Sequence, residues 1–133
     1  MILWPMFFGA LAGVCVIAAL YRMDALKERS GIAVLLGAIA FFWPVFAVQA
    51  NATALIIVAH AAAFLAFATL AAVGFRQGAI LIALGIIAHG LFDVLVLFTN
   101  NPGPAWWPAF CGALDVVAGG LLVYMIRTRK IPA

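Results

Sequence analysis

Charged residues are scarce in this chain of 133 residues: Asp, Glu, Lys and Arg together make up 8% of it, whereas hydrophobic residues make up 69%. A typical soluble domain is about a quarter charged and about half apolar. A soluble fold of this size has too little interior to hide so much apolar surface. The composition therefore excludes a soluble globular protein and predicts one transmembrane domain over residues 1–133.

Several signatures of other protein classes are also absent. The two cysteines, Cys15 and Cys111, both lie in apolar runs, so an extracellular disulfide framework is not expected. The net charge of +3 is not that of a nucleic-acid-binding protein. There is no glycine-rich phosphate loop, no Ser-His-Asp order and no His-Glu-x-x-His motif. No basic residue precedes the first apolar run, which is therefore predicted to be a retained span and not a signal peptide.

Five apolar segments are long enough to cross a bilayer, which takes about 20 residues per helix. Turn-forming or charged stretches separate them, the clearest being QANAT and NNPGP. The runs are long and lack polar alternation, which disfavours strands. The sequence therefore predicts an all-α, polytopic bundle of five transmembrane helices, at about residues 3–21, 31–49, 53–74, 79–99 and 105–126.

The basic residues predict the orientation of this bundle. They occur only in the segments after the first, third and fifth spans: Arg22, Lys27, Arg29, Arg76, Arg127, Arg129 and Lys130. An odd number of spans places these segments on one side, which the positive-inside rule makes cytoplasmic. We therefore expect a multi-pass inner-membrane protein with its N-terminus outside and its C-terminus in the cytoplasm.

Four tryptophans lie near the predicted outer ends of the spans, where aromatic belts form. They are Trp4, Trp43, Trp106 and Trp107. We expect all four to anchor the protein at the membrane surface, and the two beside the NNPGP turn to roof any polar site beneath them.

Ionisable residues well inside the spans are few, namely His60, His89, Asp93 and Asp115. A carboxylate at the bilayer centre costs about 2.5–3.5 kcal/mol, so each must be offset by a partner, water or a proton. At 1.5 Å per residue, His60 and Asp93 lie roughly 10 and 8 Å below the outer helix ends, and His89 and Asp115 roughly 14 Å. This shared depth predicts that side chains from three helices meet in the outer half of the membrane.

Helical spacing sharpens that prediction. His89 and Asp93 are four residues apart and share a helix face, as do Cys111 and Asp115. A short turn joins the two helices, so they are natural antiparallel neighbours, and glycines beside both pairs allow close approach. We expect His89 and Asp93 to face Asp115, with His60 closing the site from the third span.

The same residues carry a resemblance to a known family. The pattern His-x-x-x-Asp at 89–93, Asn-Pro at 101–102 and Cys-x-x-x-Asp at 111–115 resembles a family of small bacterial five-span membrane proteins with a domain of unknown function. The five-span layout and the charged first loop are similar too. The resemblance implies no activity, but it implies one functional set: His89, Asp93, Asn101 and Asp115.

The favoured function is binding of a small or lipid-derived ligand at an outward-opening cluster. Asp93, His89 and Asp115 would be its catalytic residues if the ligand is also turned over. Imidazoles and carboxylates ligate zinc, iron and manganese, so these three residues with His60 would also form a site for a divalent metal. An open coordination position would allow the ion to activate water. Further ligand contacts are expected from these residues: His60, Asn101, Cys111, Trp106 and Trp107.

Three alternative functions stay open, and whether the protein is an enzyme is not decided by the sequence. The cluster could relay protons in a proton-coupled carrier, which with five spans would require a homo-oligomer. It could be a packing clasp in a structural subunit of a larger membrane complex. A haem held by His60 and His89 is least favoured, because Asp93 beside the macrocycle would be costly. The lipid bilayer is the expected partner, and nucleic acid is not.

Overall fold

The computed structural model describes residues 2–133. Over that range the chain forms five helices and no strand: α1 (Leu3–Arg22), α2 (Arg29–Gln49), α3 (Ala54–Gln77), α4 (Ala79–Leu97) and α5 (Trp107–Arg127). Each helix is long and apolar enough to cross a membrane. The predicted all-α bundle of five transmembrane helices is confirmed.

The helix ends differ from the predicted spans by a few residues. α3 continues to Gln77, and Gly78 alone separates it from α4. The connection between α4 and α5 is longer than predicted and runs from residue 98 to residue 106. Pro102 and Pro104 lie in it, and proline has no backbone N–H to continue a helix.

Helix α5 is central to one half of the bundle, where it packs against both α1 and α4. Helices α2 and α3 pack against each other, and α4 contacts both of them. Gly9 and Gly13 allow α1 to approach α5 closely: a Cβ on Gly9 would collide with the Phe110 carbonyl, and one on Gly13 would lie 2.6 Å from the Leu114 oxygen. The Gly-x-x-x-Gly pair of α1 is therefore used within the chain.

The connections rich in basic residues gather at one end of the bundle, which we call the basic end. The Arg29 guanidinium, at the start of α2, donates to the backbone oxygens of Phe75 (3.3 Å) and Arg76 (3.2 Å) at the end of α3. It also donates to the Ala133 oxygen at 2.7 Å. These bonds hold the start of α2, the end of α3 and the tail after α5 together.

The tryptophans lie toward the opposite end, but they do not share one role. Trp4 and Trp106 are exposed, as belt residues would be, and Trp107 is partly buried. Trp43 is only 1% exposed. The prediction that Trp43 anchors the membrane surface is wrong, because its indole points into the bundle and donates a hydrogen bond there to Asp93.

Candidate functional site

Three polar side chains meet in the interior between α4 and α5: His89, Asp93 and Asp115, called here the His/Asp cluster. All three are fully buried, with 0% of each residue exposed. His89 Nδ1 lies 2.6 Å from Asp115 Oδ2 and 3.5 Å from Asp93 Oδ2. One potential ligand atom from each residue lies within 4.8 Å of the other two. The structure thus brings together the three residues that the sequence predicts as catalytic and metal-ligating.

The close approach of two glycines positions the cluster. A Cβ on Gly90 would lie 2.9 Å from the Gly112 oxygen and 3.0 Å from the Asp115 Cβ. Backbone contact at this level leaves no space for a side chain between α4 and α5. His89 directly precedes Gly90, and Asp93 and Asp115 lie three residues after Gly90 and Gly112, so the polar side chains reach across the interface at this tight contact.

Trp43 of α2 is a member of the site that the sequence analysis missed. Its Nε1–H donates to Asp93 Oδ1 at 2.7 Å. A tryptophan near a span end is typical of an aromatic belt. The depth of Trp43 in the membrane could have identified it. Trp43 precedes the end of α2 at Gln49 by six residues, or roughly 9 Å, which is about the depth of Asp93.

His60 is buried but does not join the ligand atoms of the cluster. Its ring stacks on Trp43, with 5.6 Å between centroids, and makes an edge contact with Phe92 at 6.2 Å. Its Nδ1 has no hydrogen-bond partner. His60 therefore contacts the site through the Trp43 ring, and the three-residue group of potential metal ligands forms without it.

Two adjacent cavities lie toward the end of the bundle opposite the basic end, and the first of them reaches His60. One, of about 210 Å³, is lined by His60, Phe92 and Asn100, among others. The second, of about 390 Å³, is lined by Asn100 and Asn101. They share Ile56, Thr99 and Asn100, and together we call them the vestibule.

The other predicted ligand-binding residues lie around this end of the bundle. The Asn101 side chain accepts from the Gly103 N–H at 2.8 Å and donates to the Pro104 oxygen at 3.3 Å, so it shapes the turn while facing the vestibule. Trp106 and Trp107 contact each other, with ring centroids 5.4 Å apart. They belong to an aromatic group that also contains Phe42, Phe46 and Phe110.

Cys111 lies one turn from Asp115 on α5 and is 3% exposed. Cys15, by contrast, is exposed on the lipid-facing side of α1. The two thiols therefore occupy different environments.

The cluster retains unused hydrogen-bonding capacity. Asp93 Oδ2, Asp115 Oδ1 and His89 Nε2 are buried without a hydrogen-bond partner among the described residues. Buried polar atoms in proteins are nearly always paired, so unpaired ones call for an explanation. Two neighbouring carboxylates in apolar surroundings also require protons or a cation to balance their charge. One imidazole and two carboxylates match the ligand preferences of zinc, iron and manganese.

Comparison of the chain with protein-family models, with curated proteins and with solved structures gives no match.

Proposed function

We propose that this chain is a multi-pass protein of a bacterial inner membrane that holds a divalent transition-metal ion at His89, Asp93 and Asp115. Through that ion it binds a small or lipid-derived ligand. Three protein ligands leave a coordination position open, which a ligand oxygen or a water can fill.

The observation that carries the proposal is a set of three ligand atoms within 4.8 Å of one another in fully buried residues. A clasp that served only to pack helices would pair its polar atoms. Here Asp115 Oδ1 has no hydrogen-bond partner, and Asp93 Oδ2 has only the 3.5 Å contact with His89 Nδ1. These incompletely paired oxygens favour a cation site over a packing clasp.

Charge balance supports a divalent ion in particular. Two carboxylates and a neutral imidazole carry a charge of about −2, and an uncompensated buried charge is strongly destabilising. Lys and Arg residues of the described helices lie only at the basic end, away from the cluster. A divalent cation would make the site neutral without any basic side chain.

The vestibule supports access from the end opposite the basic end, which the positive-inside rule makes extracytoplasmic. Phe92 lines the vestibule and lies 6.1 Å from His89, centroid to centroid. Phe67 of α3 contacts both rings, so an ion entering between α3 and α4 would pass Phe92 and Phe67 to reach the cluster.

Metal analysis tests the proposal. The protein is purified without chelator, its metal content is measured, and the stripped protein is titrated with Zn²⁺, Mn²⁺ and Co²⁺. We expect one ion per chain, at least about 100-fold weaker binding in Asp115→Asn, and a thermal stabilisation by metal that this variant lacks.

Asp24→Asn is the matched control, because Asp24 is an exposed residue paired with Lys27 at the basic end. It removes the same charge and should bind metal like the unaltered protein. A folded, stripped protein that binds none of the three ions would reject the proposal and would favour the packing clasp.

A proton-coupled carrier that works as an oligomer is the second candidate. Helices α1 and α3 leave most of their apolar surface unburied within one chain, which leaves faces free for subunit contacts. Metal-driven acidification of reconstituted vesicles would support the carrier. Tight metal binding without ion movement would support the binding protein.

A further inference from the structure

A groove between α1 and α5 lies at the basic end, far along both helices from the His/Asp cluster. It has a volume of about 450 Å³. Its apolar walls include Val14 and Ala18 of α1 and Leu121 of α5. Val14, Ala18 and Tyr21 follow each other at helical spacing, so they form one stripe that runs toward the end of the bundle.

The end of this groove is polar. Tyr21, Tyr124 and Lys130 line it together with the apolar residues. A smaller cavity of about 210 Å³ lies at the chain terminus and also contains Tyr21 and Lys130 in its lining. The two cavities are therefore adjacent, one apolar and one polar, with Lys130 belonging to both.

The fold places Lys130 at this junction. Arg129 has a φ of 57°, which reverses the chain after α5, and the Lys130 N–H donates to the Met125 oxygen at 2.8 Å. The Lys130 ammonium then lies 5.2 Å from the centre of the Tyr124 ring. Lys27 of the same polar cavity pairs with Asp24 at 2.9 Å, whereas Lys130 has no ion-pair partner among residues 2–133.

We propose that this groove binds one anionic glycerophospholipid, with an acyl chain between α1 and α5 and its phosphate at Lys130 and the hydroxyls of Tyr21 and Tyr124. The proposal is independent of metal binding at the cluster. An apolar tail beside an anionic head matches an apolar groove that ends at an unpaired ammonium.

We expect the lipid headgroup, and not the acyl chain, to determine which phospholipid the groove prefers. Lipid tails are as apolar as the groove walls, so an acyl chain gains little by leaving the bilayer for the groove. One basic residue near the membrane surface favours an anionic lipid about fivefold. The groove fixes where that lipid lies, and Lys130 determines which headgroup is preferred.

Native mass spectrometry of the full chain tests this proposal, with phosphatidylglycerol and phosphatidylcholine of identical acyl chains as probes. We expect the first bound phosphatidylglycerol to be preferred about fivefold, and Lys130→Gln to remove the preference. Arg76→Gln is the matched control, because it removes a positive charge from the same end on α3, which does not form this groove. It should leave the preference unchanged.

A second pair of variants tests the groove itself. Ala18→Phe fills the groove and should weaken binding of both lipids, whereas Val34→Phe places the same phenylalanine ring on an exposed face of α2 and should not. Thermal unfolding confirms that each variant is folded. Equal losses in the Lys130 and Arg76 variants would overturn the proposal in favour of general charge attraction. If the unaltered protein is a dimer and Ala18→Phe makes it a monomer, the groove is a dimer contact and the proposal is overturned.

Discussion

His89 of α4 and Asp115 of α5 share a hydrogen bond of 2.6 Å between Nδ1 and Oδ2, in an interior where neither residue is exposed. The bond links residues that are 26 positions apart in the chain. It also selects the ring nitrogen that faces both carboxylates, since the same Nδ1 lies 3.5 Å from Asp93. The other nitrogen, Nε2, has no hydrogen-bond partner, and the His89 ring makes a T-shaped contact with the Phe67 ring, with 4.9 Å between centroids.

Trp43→Phe should destabilise the protein and weaken metal binding. The change removes the donor to Asp93 Oδ1 and leaves that buried acceptor unpaired, at a cost of about 1–3 kcal/mol. Unfolding in a detergent titration measures the loss. Trp106→Phe, at a residue that is 50% exposed, should change stability little. Equal stabilities of the two variants would mean that the indole bond does not support the site.

Gly90→Ala should disrupt the cluster more than its small volume suggests. The new Cβ would lie 2.9 Å from a backbone oxygen of α5, so the two helices must separate. We expect a loss of metal affinity together with a lower unfolding temperature. Gly120→Ala is the control, because nothing lies within 4 Å of a Cβ there and alanine favours a helix by about 1 kcal/mol. If Gly90→Ala binds metal as tightly as the unaltered protein, the close contact of α4 and α5 at Gly90 is not needed to form the site.

Metal binding should weaken as the pH falls, because protons and the ion compete for the same atoms. Without metal, two carboxylates and one imidazole are neutral when they hold two protons between them, and a divalent ion replaces both. In the pH range where metal binding displaces both protons, the affinity for the metal should therefore decrease by up to about 100-fold for each unit that the pH falls. Calorimetry in buffers of different ionisation enthalpy counts the protons released. Binding that releases none would contradict this charge balance.

The C-terminus should face the cytoplasm. All seven basic residues lie in connections or ends on one side of the five helices, as the positive-inside rule requires of a cytoplasmic side. A reporter that is active only in the cytoplasm should work when fused after Ala133, and one that is active only in the periplasm should not. The reverse result would invert the topology and would place the vestibule on the cytoplasmic side.

Much of the cluster could be predicted from local properties of the chain. Hydropathy over about 20 residues identifies the spans, because crossing the bilayer is a requirement on each helix separately. The helical period places His89 and Asp93 on one face, and the NNPGP turn predicts α4 and α5 as antiparallel neighbours. Depth counted along each helix then brings Asp115 to the level of His89, as the structure shows.

Only the tertiary structure determines which face of each helix points into the bundle. In lipid, apolar faces differ little in energy, so packing and polar contacts determine helix rotation. That rotation directs Trp43 inward to Asp93, although its position near a span end is typical of a surface anchor. It also stacks His60 on the Trp43 ring and not among the ligand atoms, although its depth is similar to that of Asp93. Sequence thus determined the spans and the depth of each polar group, and packing determined which of those groups meet.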